Sequence, residues 1–321
     1  MCAGPPTRGP PYLNLGSAED TFATTAKLRN KLMIRSKLAS LAFAALMSVG
    51  GQAFAITGDW IPDNDHPFVG LIAFYGSDGE FIWRCSGALI SPTVFLTAGH
   101  CADTVGGATT ARIWFQQNAG ANYNPATQHD PVTGYPDDCA AGTLGVLCAE
   151  VSAGHIYNFG FTGELTLPNT HDVGIVVLDQ TPSAVTEYGQ LPQAGQLDAL
   201  ATARGRQSVL FTESGYGLTY KPKDKSGKPA TSYRVRLMAE SLLVNLRSGL
   251  NDGFNLQTQG NGTGLGGTCN GDSGGPVFLG PYASDIIVGV TSFGLNDLCR
   301  GTDFAFRIDR QEVLDWINGF L

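Results

Sequence analysis

One serine of this chain lies in a glycine-rich setting that suits nucleophilic chemistry. Residues 269–276 read Cys-Asn-Gly-Asp-Ser-Gly-Gly-Pro, which places Ser273 among three glycines. Glycine permits unusual backbone dihedrals and close approach, so a hydroxyl group and the neighbouring amides can face a substrate. The stretch therefore predicts an acyl-transfer site in which Ser273 is the nucleophile.

The position of the histidines decides between two catalytic interpretations. Residues 271–275 also fit the Gly-x-Ser-x-Gly pattern of α/β-hydrolases, in which an acid and then a histidine follow the serine. That order is impossible here, because no histidine follows Ser273. The base must come from upstream, in the order histidine, acid, serine. The five histidines are His66, His100, His129, His155 and His171.

Two upstream segments supply a base and an acid. Thr-Ala-Gly-His-Cys at 97–101 closes an apolar run in which a strand is predicted from Val94 to Thr97. His100 is the candidate base because imidazole titrates near neutral pH. Asp172 opens another apolar strand and would hold the imidazole tautomer and stabilise the imidazolium. Its neighbour His171 would point the opposite way on that strand and is interpreted as incidental. Each residue alone has a structural explanation, but the three motifs together favour catalysis.

These three motifs, in this order, resemble those of the chymotrypsin/trypsin-fold serine proteases, from about Ile56 to the C-terminus. The resemblance implies an all-β fold of two antiparallel six-stranded β-barrels, with the active site between them and a C-terminal helix. It implies a serine endopeptidase that hydrolyses peptide bonds through an acyl-enzyme and uses no metal or cofactor. The backbone N–H groups of Gly271 and Ser273 would form the oxyanion hole.

The resemblance also indicates the substrate pocket. Where trypsin-like enzymes carry an aspartate at the pocket base, this chain has Gly267. Asp303 falls at the opposite wall, where a carboxylate can pair with Lys or Arg of the P1 residue, which precedes the scissile bond. We expect cleavage after Arg or Lys; the alternative is that Asp303 points away and broader apolar side chains are accepted. Ser292, Phe293 and Gly294 are expected to line the pocket and bind an extended peptide.

The first 55 residues predict export. Five basic residues between 27 and 37 precede an apolar run from 38 to 49 that is too short to span a bilayer, and Ala-Phe-Ala at 53–55 fits a cleavage site. Residues 33–55, which begin at Met33, are predicted to be the signal peptide, and 1–32 an upstream leader or misread start. The alternative is a buried N-terminal helix. Secretion would end outside the cell or in a periplasm.

Cleavage after Ala55 would make Ile56 the N-terminus. In the family that the chain resembles, the freed ammonium group of such a residue folds inward and pairs with the aspartate beside the catalytic serine, here Asp272. That pair orders the serine loop, so removal of the leader by signal peptidase would itself activate the protein. The alternative is that Ile56 is only the first ordered residue.

Seven cysteines are an odd set for an exported chain, but Cys2 belongs to the part predicted to be removed. The pairs Cys85–Cys101 and Cys269–Cys299 match disulfides of the resembling family. Cys139 and Cys148 remain and are expected to close a local loop. No Cys-x-x-Cys pair exists, which argues against a zinc site.

Composition and spacing set the remaining expectations. Forty-two glycines and 43% hydrophobic residues suit a β-protein with many turns. The predicted first barrel covers residues 56–183, with an insertion at 116–154, and the second barrel covers 184–321, with a terminal helix (309–321) packed on it. The formal net charge of −8 disfavours nucleic acid and anionic membranes as partners. We therefore expect protein or peptide substrates and a monomeric protein.

One non-enzymatic alternative remains open at this point. An exported relative could keep the fold with an inactive site and act as a binding module. The complete set of His100, Asp172 and Ser273 argues against that alternative. A lipase or esterase of the α/β-hydrolase class is excluded mainly by the order of the residues along the chain.

Overall fold

The structure is a computed structural model that describes residues 56–119, 139, 142–202, 208–220, 234–295 and 299–321. The predicted leader at 1–32, the signal peptide at 33–55, His129 and most of the insertion at 116–154 lie outside these residues. Among the residues described, no helix is long and apolar enough to cross a membrane.

Most regular structure is β-strand, and the chain ends in one α-helix. The strands are β1 (Ile56–Gly58), β2 (Ile61–Pro62), β3 (Val69–Tyr75), β4 (Phe81–Leu89), β5 (Val94–Thr97), β6 (Thr110–Trp114), β7 (Cys148–Val151), β8 (Ile156–Asn158), β9 (Gly174–Val177), β10 (Leu210–Gly215), β11 (Thr219–Tyr220), β12 (Leu237–Asn245), β13 (Asn255–Gln259), β14 (Gly266–Gly267), β15 (Pro276–Leu279), β16 (Ile287–Gly294) and β17 (Thr302–Arg307). A short 3-10 helix spans Asp198–Thr202, and helix α1 spans Gln311–Asn318.

Two antiparallel sheets form the halves of the fold. In the second half the strand order is β10-β15-β16-β17-β13-β12, and pairing of β10 with β12 closes a six-stranded barrel. In the first half the order is β7-β6-β3-β4-β5-β9-β8, a curled half-barrel sheet. The predicted all-β class with a C-terminal helix is confirmed, with one barrel closed and the other sheet open among the described strands.

The apolar runs become strands because both of their faces find partners. All seven residues of β3 are buried, and β3 lies between β4 and β6. Alternating side chains of a strand point to opposite faces, so a fully buried strand reads as a continuous apolar run rather than as an alternation. The strand predicted at 94–97 coincides with β5.

The terminal helix contacts more of the fold than the second barrel on which it was predicted to pack. Val313, Leu314 and Ile317 are buried at helical spacing, as expected for an amphipathic helix. However, the ring of Trp316 lies 5.4 Å from that of Phe159, which belongs to the first half of the chain. Helix α1 therefore contacts the first sheet as well as the second barrel, because its aromatic side chains extend beyond the barrel that precedes it.

A buried polar cluster joins the two halves. Asp63 accepts hydrogen bonds from His66 Nδ1 at 3.0 Å and from Ser214 Oγ at 2.5 Å. Arg236 donates to the carbonyl oxygens of Val69 at 2.9 Å and Asp63 at 3.2 Å. Burial opposes charge on this pair, but the mutual hydrogen bond and attraction outweigh it, so the pKa of Asp63 is lowered and that of His66 is raised. His66 therefore has a structural role in this cluster.

Candidate active site

The predicted base and acid meet at the ends of two paired strands. Strand β5 leads into His100, and β9 begins two residues after Asp172; these strands pair antiparallel with Thr97 opposite Gly174. Asp172 is fully buried, and its Oδ1 accepts the backbone N–H of His100 at 2.7 Å. The imidazole Nδ1 of His100 lies 2.9 Å from Asp172 Oδ2. The carboxylate thus fixes both the backbone and the ring of His100.

Asp172 has a further partner that the sequence analysis missed. Ser292 Oγ donates a hydrogen bond to Asp172 Oδ2, across 120 residues of chain. The sequence analysis assigned Ser292 only to the substrate pocket. Its contact with Asp172 depends on the second barrel packing against the first sheet, so no local sequence pattern could have revealed it.

Asp172 favours the protonated form of the His100 imidazole. Burial disfavours the charged ring, but the charge and hydrogen bond of Asp172, with a smaller effect from Asp103, outweigh it and raise the pKa of His100. The side chain of His100 is 26% exposed. In the described part of the chain, His100 Nε2 has no hydrogen-bond partner. The tautomer with a proton on Nδ1 therefore leaves Nε2 free to accept one.

His171, the neighbour of Asp172, is not on a strand as predicted. Its φ of 48° lies in the left-handed region, and β9 begins only at Gly174. The ring of His171 lies 5.9 Å from that of Phe159. The tight turn at His171 is what directs Asp172 toward His100, which a strand-based prediction could not anticipate.

The serine loop packs directly against the strand that leads to His100. Gly274 has φ of 77°, and a Cβ there would lie 2.1 Å from Thr97 Oγ1 and 2.6 Å from the backbone nitrogen of Ala98. The backbone N–H of Ser86 donates to the carbonyl oxygen of Ser273 at 2.8 Å. Only glycine fits at position 274, because any side chain would displace the loop from the His100 segment.

The groups expected to act on a substrate are left unpaired. Among the residues that the structure describes, Ser273 Oγ makes no hydrogen bond, including none to His100 Nε2. The backbone N–H groups of Gly271 and Ser273 likewise have no protein acceptor there. Gly271 has φ of 98°, a conformation that favours glycine and belongs to the turn that presents these amides. A turn that leaves the amides of Gly271 and Ser273 without a protein acceptor is suited to receive an anionic oxygen.

A cavity of about 230 Å³ adjoins Ser273. Its lining includes Ser292, Phe293, Gly294 and Asp303, which were all predicted for the pocket. Gly267 lines a neighbouring cavity of about 440 Å³, and Asp303 lines both. Asp303 Oδ2 also accepts the backbone N–H of Thr268 at 3.1 Å. Asp303 therefore lies at the wall shared by the two cavities.

Asp272 is a buried residue of the serine loop. It accepts backbone N–H groups from Gly217 at 2.8 Å and Cys269 at 2.9 Å. Burial nonetheless raises its pKa to about 7, and the charge of Asp303 adds to the shift. The backbone N–H of Ile56 hydrogen bonds to Asp272 and lowers its pKa. The two residues predicted to form the activation pair are thus in contact.

Three disulfides connect loops around these elements. Cys85–Cys101 links β4 to the His100 turn, Cys269–Cys299 links the serine loop to the pocket wall, and Cys139–Cys148 closes a loop of the first half. In the described part of the chain, one group of metal-ligand atom types lies within 4.8 Å: Cys85, His100 and Cys101. Both of its sulfurs are in a disulfide and offer no thiolate, so this group does not fit zinc.

One buried charged residue near the pocket was not anticipated. Glu213 on β10 is 1% exposed, and its pKa is raised to about 8 by burial and by the charge of Asp303. A glutamate inside an otherwise uncharged strand is a detectable signal, because charged residues are almost never fully buried without a function or a partner. Glu213 was not among the site residues predicted from the sequence.

The family model described as Trypsin matches residues 55–144 and 150–317 of the chain. "CLIP domain-containing serine protease B10" of Anopheles gambiae is 26% identical over 291 residues, which cover 82% of this chain and 68% of that protein. "Serine protease 1" of Drosophila melanogaster is 28% identical over 259 residues, which cover 78% of this chain and 80% of that protein.

Solved structures of similar fold agree with the architecture. HL collagenase has a TM-score of 0.52 at 18% identity, covering 84% of this chain and 96% of that chain. A mutant of human heparin binding protein (CAP37) has a TM-score of 0.52 at 20% identity, covering 84% and 95%. At these identities the similarity establishes the fold alone.

Proposed function

The chain belongs to the trypsin family of serine proteases, and from that membership we propose that it is a secreted serine endopeptidase that cleaves peptide bonds through an acyl-enzyme, after Arg or Lys. The observation that carries this proposal is the buried carboxylate of Asp172 bonded to Nδ1 of His100, with Nε2 left free. This is the arrangement that a general base for a serine hydroxyl requires.

In the proposed mechanism His100 Nε2 takes the proton of Ser273 Oγ as the oxygen attacks the substrate carbonyl carbon. The carbonyl oxygen becomes an oxyanion and is stabilised by the amides of Gly271 and Ser273, one such donor being worth about 3 kcal/mol. The imidazolium, held by Asp172, then protonates the leaving amine. Water attacks the acyl-enzyme, with His100 again as base. The bond between Ser273 and His100 closes on substrate binding, as is common for catalytic contacts that are loose without substrate.

Activation is proposed to follow removal of residues 1–55. The new ammonium group would replace the Ile56 amide that already contacts Asp272, and would supply the positive charge that this buried carboxylate lacks. The three disulfides support an oxidising destination outside the cytosol. The secreted protein is expected to begin at Ile56 on N-terminal sequencing, and a start elsewhere would contradict this step.

A fluorophosphonate probe tests the activity, because it reacts only with an activated serine. We expect near-stoichiometric labelling of the chain that starts at Ile56, with the adduct mapped to Ser273 by mass spectrometry. Intact folded protein that remains unlabelled would instead favour an exported binding module with an inactive site.

The proposed preference for basic P1 residues depends on Asp303. Asp303→Gly is expected to lower kcat/KM for Arg and Lys substrates by about 100-fold, since loss of one partner of a desolvated charge pair costs several kcal/mol. Asp303→Asn, which keeps the shape of the side chain, should act similarly. Cleavage profiles over a P1 library measure the effect. An unchanged preference in both variants would contradict the assignment and favour apolar P1 residues.

A further inference from the structure

A second carboxyl group lies behind the pocket wall, beyond the residues assigned above. Glu213 Oε1 accepts hydrogen bonds from Ser241 Oγ at 2.8 Å and Thr258 Oγ1 at 2.7 Å. Glu213 Oε2 is buried and has no hydrogen-bond partner in the part of the chain that the structure describes. Burial of a polar atom without a hydrogen-bond partner costs free energy. Such an atom therefore indicates a site where a ligand supplies the missing partner.

The free oxygen faces the space where Gly267 lacks a side chain. A Cβ built on Gly267 would lie 3.9 Å from Glu213 Oε2 and 2.2 Å from Asp303 Oδ2. Because one point is that close to both, the two oxygens are no more than about 6 Å apart. A guanidinium can contact both, since it presents donors along two edges and each charge-assisted N–H···O bond spans about 2.8 Å.

This region is rich in carboxyl groups, and Arg300 is the basic residue among the described residues that line its two cavities. In the described residues, no ion pair involves Glu213, Asp303 or Asp272. Glu213 faces Asp303 from β17 and Asp272 from the serine loop, together with the neutral hydroxyls of Ser241 and Thr258. The ammonium of Ile56 would neutralise Asp272. The other two carboxyls form no ion pair within the described residues, so a cationic ligand would be their charged partner.

We propose that Glu213 is a specificity-determining residue whose free Oε2, together with Asp303, binds the guanidinium of a P1 arginine and favours Arg over Lys. The inference rests on the proposed protease function. Asp303 lines both cavities and Glu213 lines neither, so a ligand in either cavity meets Asp303 before Glu213. A guanidinium is longer, less strongly hydrated than an ammonium group, and presents donors along two edges. It can therefore reach both carboxylates, whereas an ammonium group at Asp303 stops short.

The pKa values of Glu213 and Asp303 agree with this arrangement. Burial and the charge of Asp303 raise the pKa of Glu213 to about 8. Burial raises the pKa of Asp303 to about 7, against the hydrogen bonds from Thr268. Both carboxyls are therefore largely protonated below pH 7 and must ionise when a cation binds. Binding of a basic P1 group should release protons and should strengthen as the pH rises from 6 to 9.

Glu213→Gln tests the proposal in the chain that starts at Ile56. The amide oxygen can keep the bonds from Ser241 and Thr258, while the free carboxylate oxygen is lost. We expect kcat/KM to fall about 10-fold or more for P1 Arg, by less than about 3-fold for P1 Lys, and not at all for P1 Leu. Glu187→Gln removes an exposed carboxylate and is the control for net charge. Equal effects on Arg and Lys, or none on Arg, would overturn the proposal.

Proton release gives a second readout that needs no variant. Benzamidine, a flat amidinium cation, is titrated at pH 6.5 by calorimetry in buffers of different ionisation enthalpy. Two protonated carboxyls predict release of more than one proton per site, and Asp303 alone predicts one at most. Release of one proton or fewer by the wild-type protein would overturn the role of Glu213, even if Glu213→Gln does not fold. If wild-type protein neither reacts with fluorophosphonate nor cleaves any peptide, the proposed function fails instead.

Discussion

Ser273→Ala is expected to lower kcat/KM for peptide cleavage by roughly 10⁴-fold or more, because no other group replaces the attacking oxygen. Ser273 Oγ has no hydrogen bond within the described residues, so its removal breaks no contact of the fold. The serine loop is instead held by its backbone, through the bond from Ser86 to the Ser273 carbonyl and by Gly274 against Thr97. The melting temperature should therefore stay unchanged while activity is lost.

The matched control for this variant is Ser77→Ala. Ser77 lies on an exposed turn between β3 and β4, so its hydroxyl is solvated. Cleavage rates of a peptide substrate and fluorophosphonate labelling are measured for both variants and the wild-type chain. Ser77→Ala should retain full activity. Retention of more than a few per cent activity by Ser273→Ala would show that the nucleophile is another group.

One extra residue before Ile56 is expected to lower activity by about 100-fold or more. Ile56 is fully buried, its carbonyl oxygen accepts Thr219 Oγ1 at 2.5 Å, and its backbone nitrogen reaches Asp272. One residue moves the terminal ammonium about 3.5 Å along the chain, out of contact with that carboxylate. Removing one partner of a buried ion pair costs about 3–5 kcal/mol. Disorder of the serine loop, with its two oxyanion-hole amides, is the expected consequence.

The pH dependence of activity is expected to differ between the chain that starts at Ile56 and the extended chain. With only an amide at Ile56, burial leaves the pKa of Asp272 at about 7. A free ammonium group lowers the pKa of Asp272, and its own pKa is raised above the ordinary value of about 8. Activity of the chain that starts at Ile56 should therefore fall as the pH rises through the pKa of that ammonium group. The extended chain should lack this alkaline loss because its activity is already low.

Two controls separate this effect from a general effect of chain length. Ile56→Val keeps both the ammonium group and an apolar side chain and should keep most of the activity. One residue added after Leu321, which is 58% exposed, should have no effect. Steady-state rates of these three chains decide the matter. Full activity of the N-terminally extended chain would leave Ile56 with no role beyond being the first ordered residue.

Local sequence patterns were sufficient to predict the three candidate catalytic residues. His100, Asp172 and Ser273 each stand in a short motif whose neighbours can be read from the chain, and the order of the motifs excluded the α/β-hydrolase interpretation. Strand β5 was predicted to the residue because a short apolar run between turns has few alternatives. The catalytic roles themselves stay predictions until the variants above are measured.

Contacts between distant segments could not be predicted from local sequence patterns. The bond from Ser292 to Asp172 and the contact of Trp316 with Phe159 join segments that are distant along the chain. The turn at His171 depends on the packing around it. None of these features leaves a local signal in the sequence. The closure of only one sheet among the described strands is similarly a matter of strand pairing.

The sequence by itself determined the fold class and the candidate nucleophile, base and acid, because these depend on residue type, strand periodicity and order along the chain. The tertiary structure decided what surrounds them: two amides without acceptors, a buried aspartate beside Ile56, and a glutamate oxygen facing the gap at Gly267. The reason is physical. Burial, unpaired polar atoms and raised pKa values arise only when segments that are distant along the chain exclude water from one another.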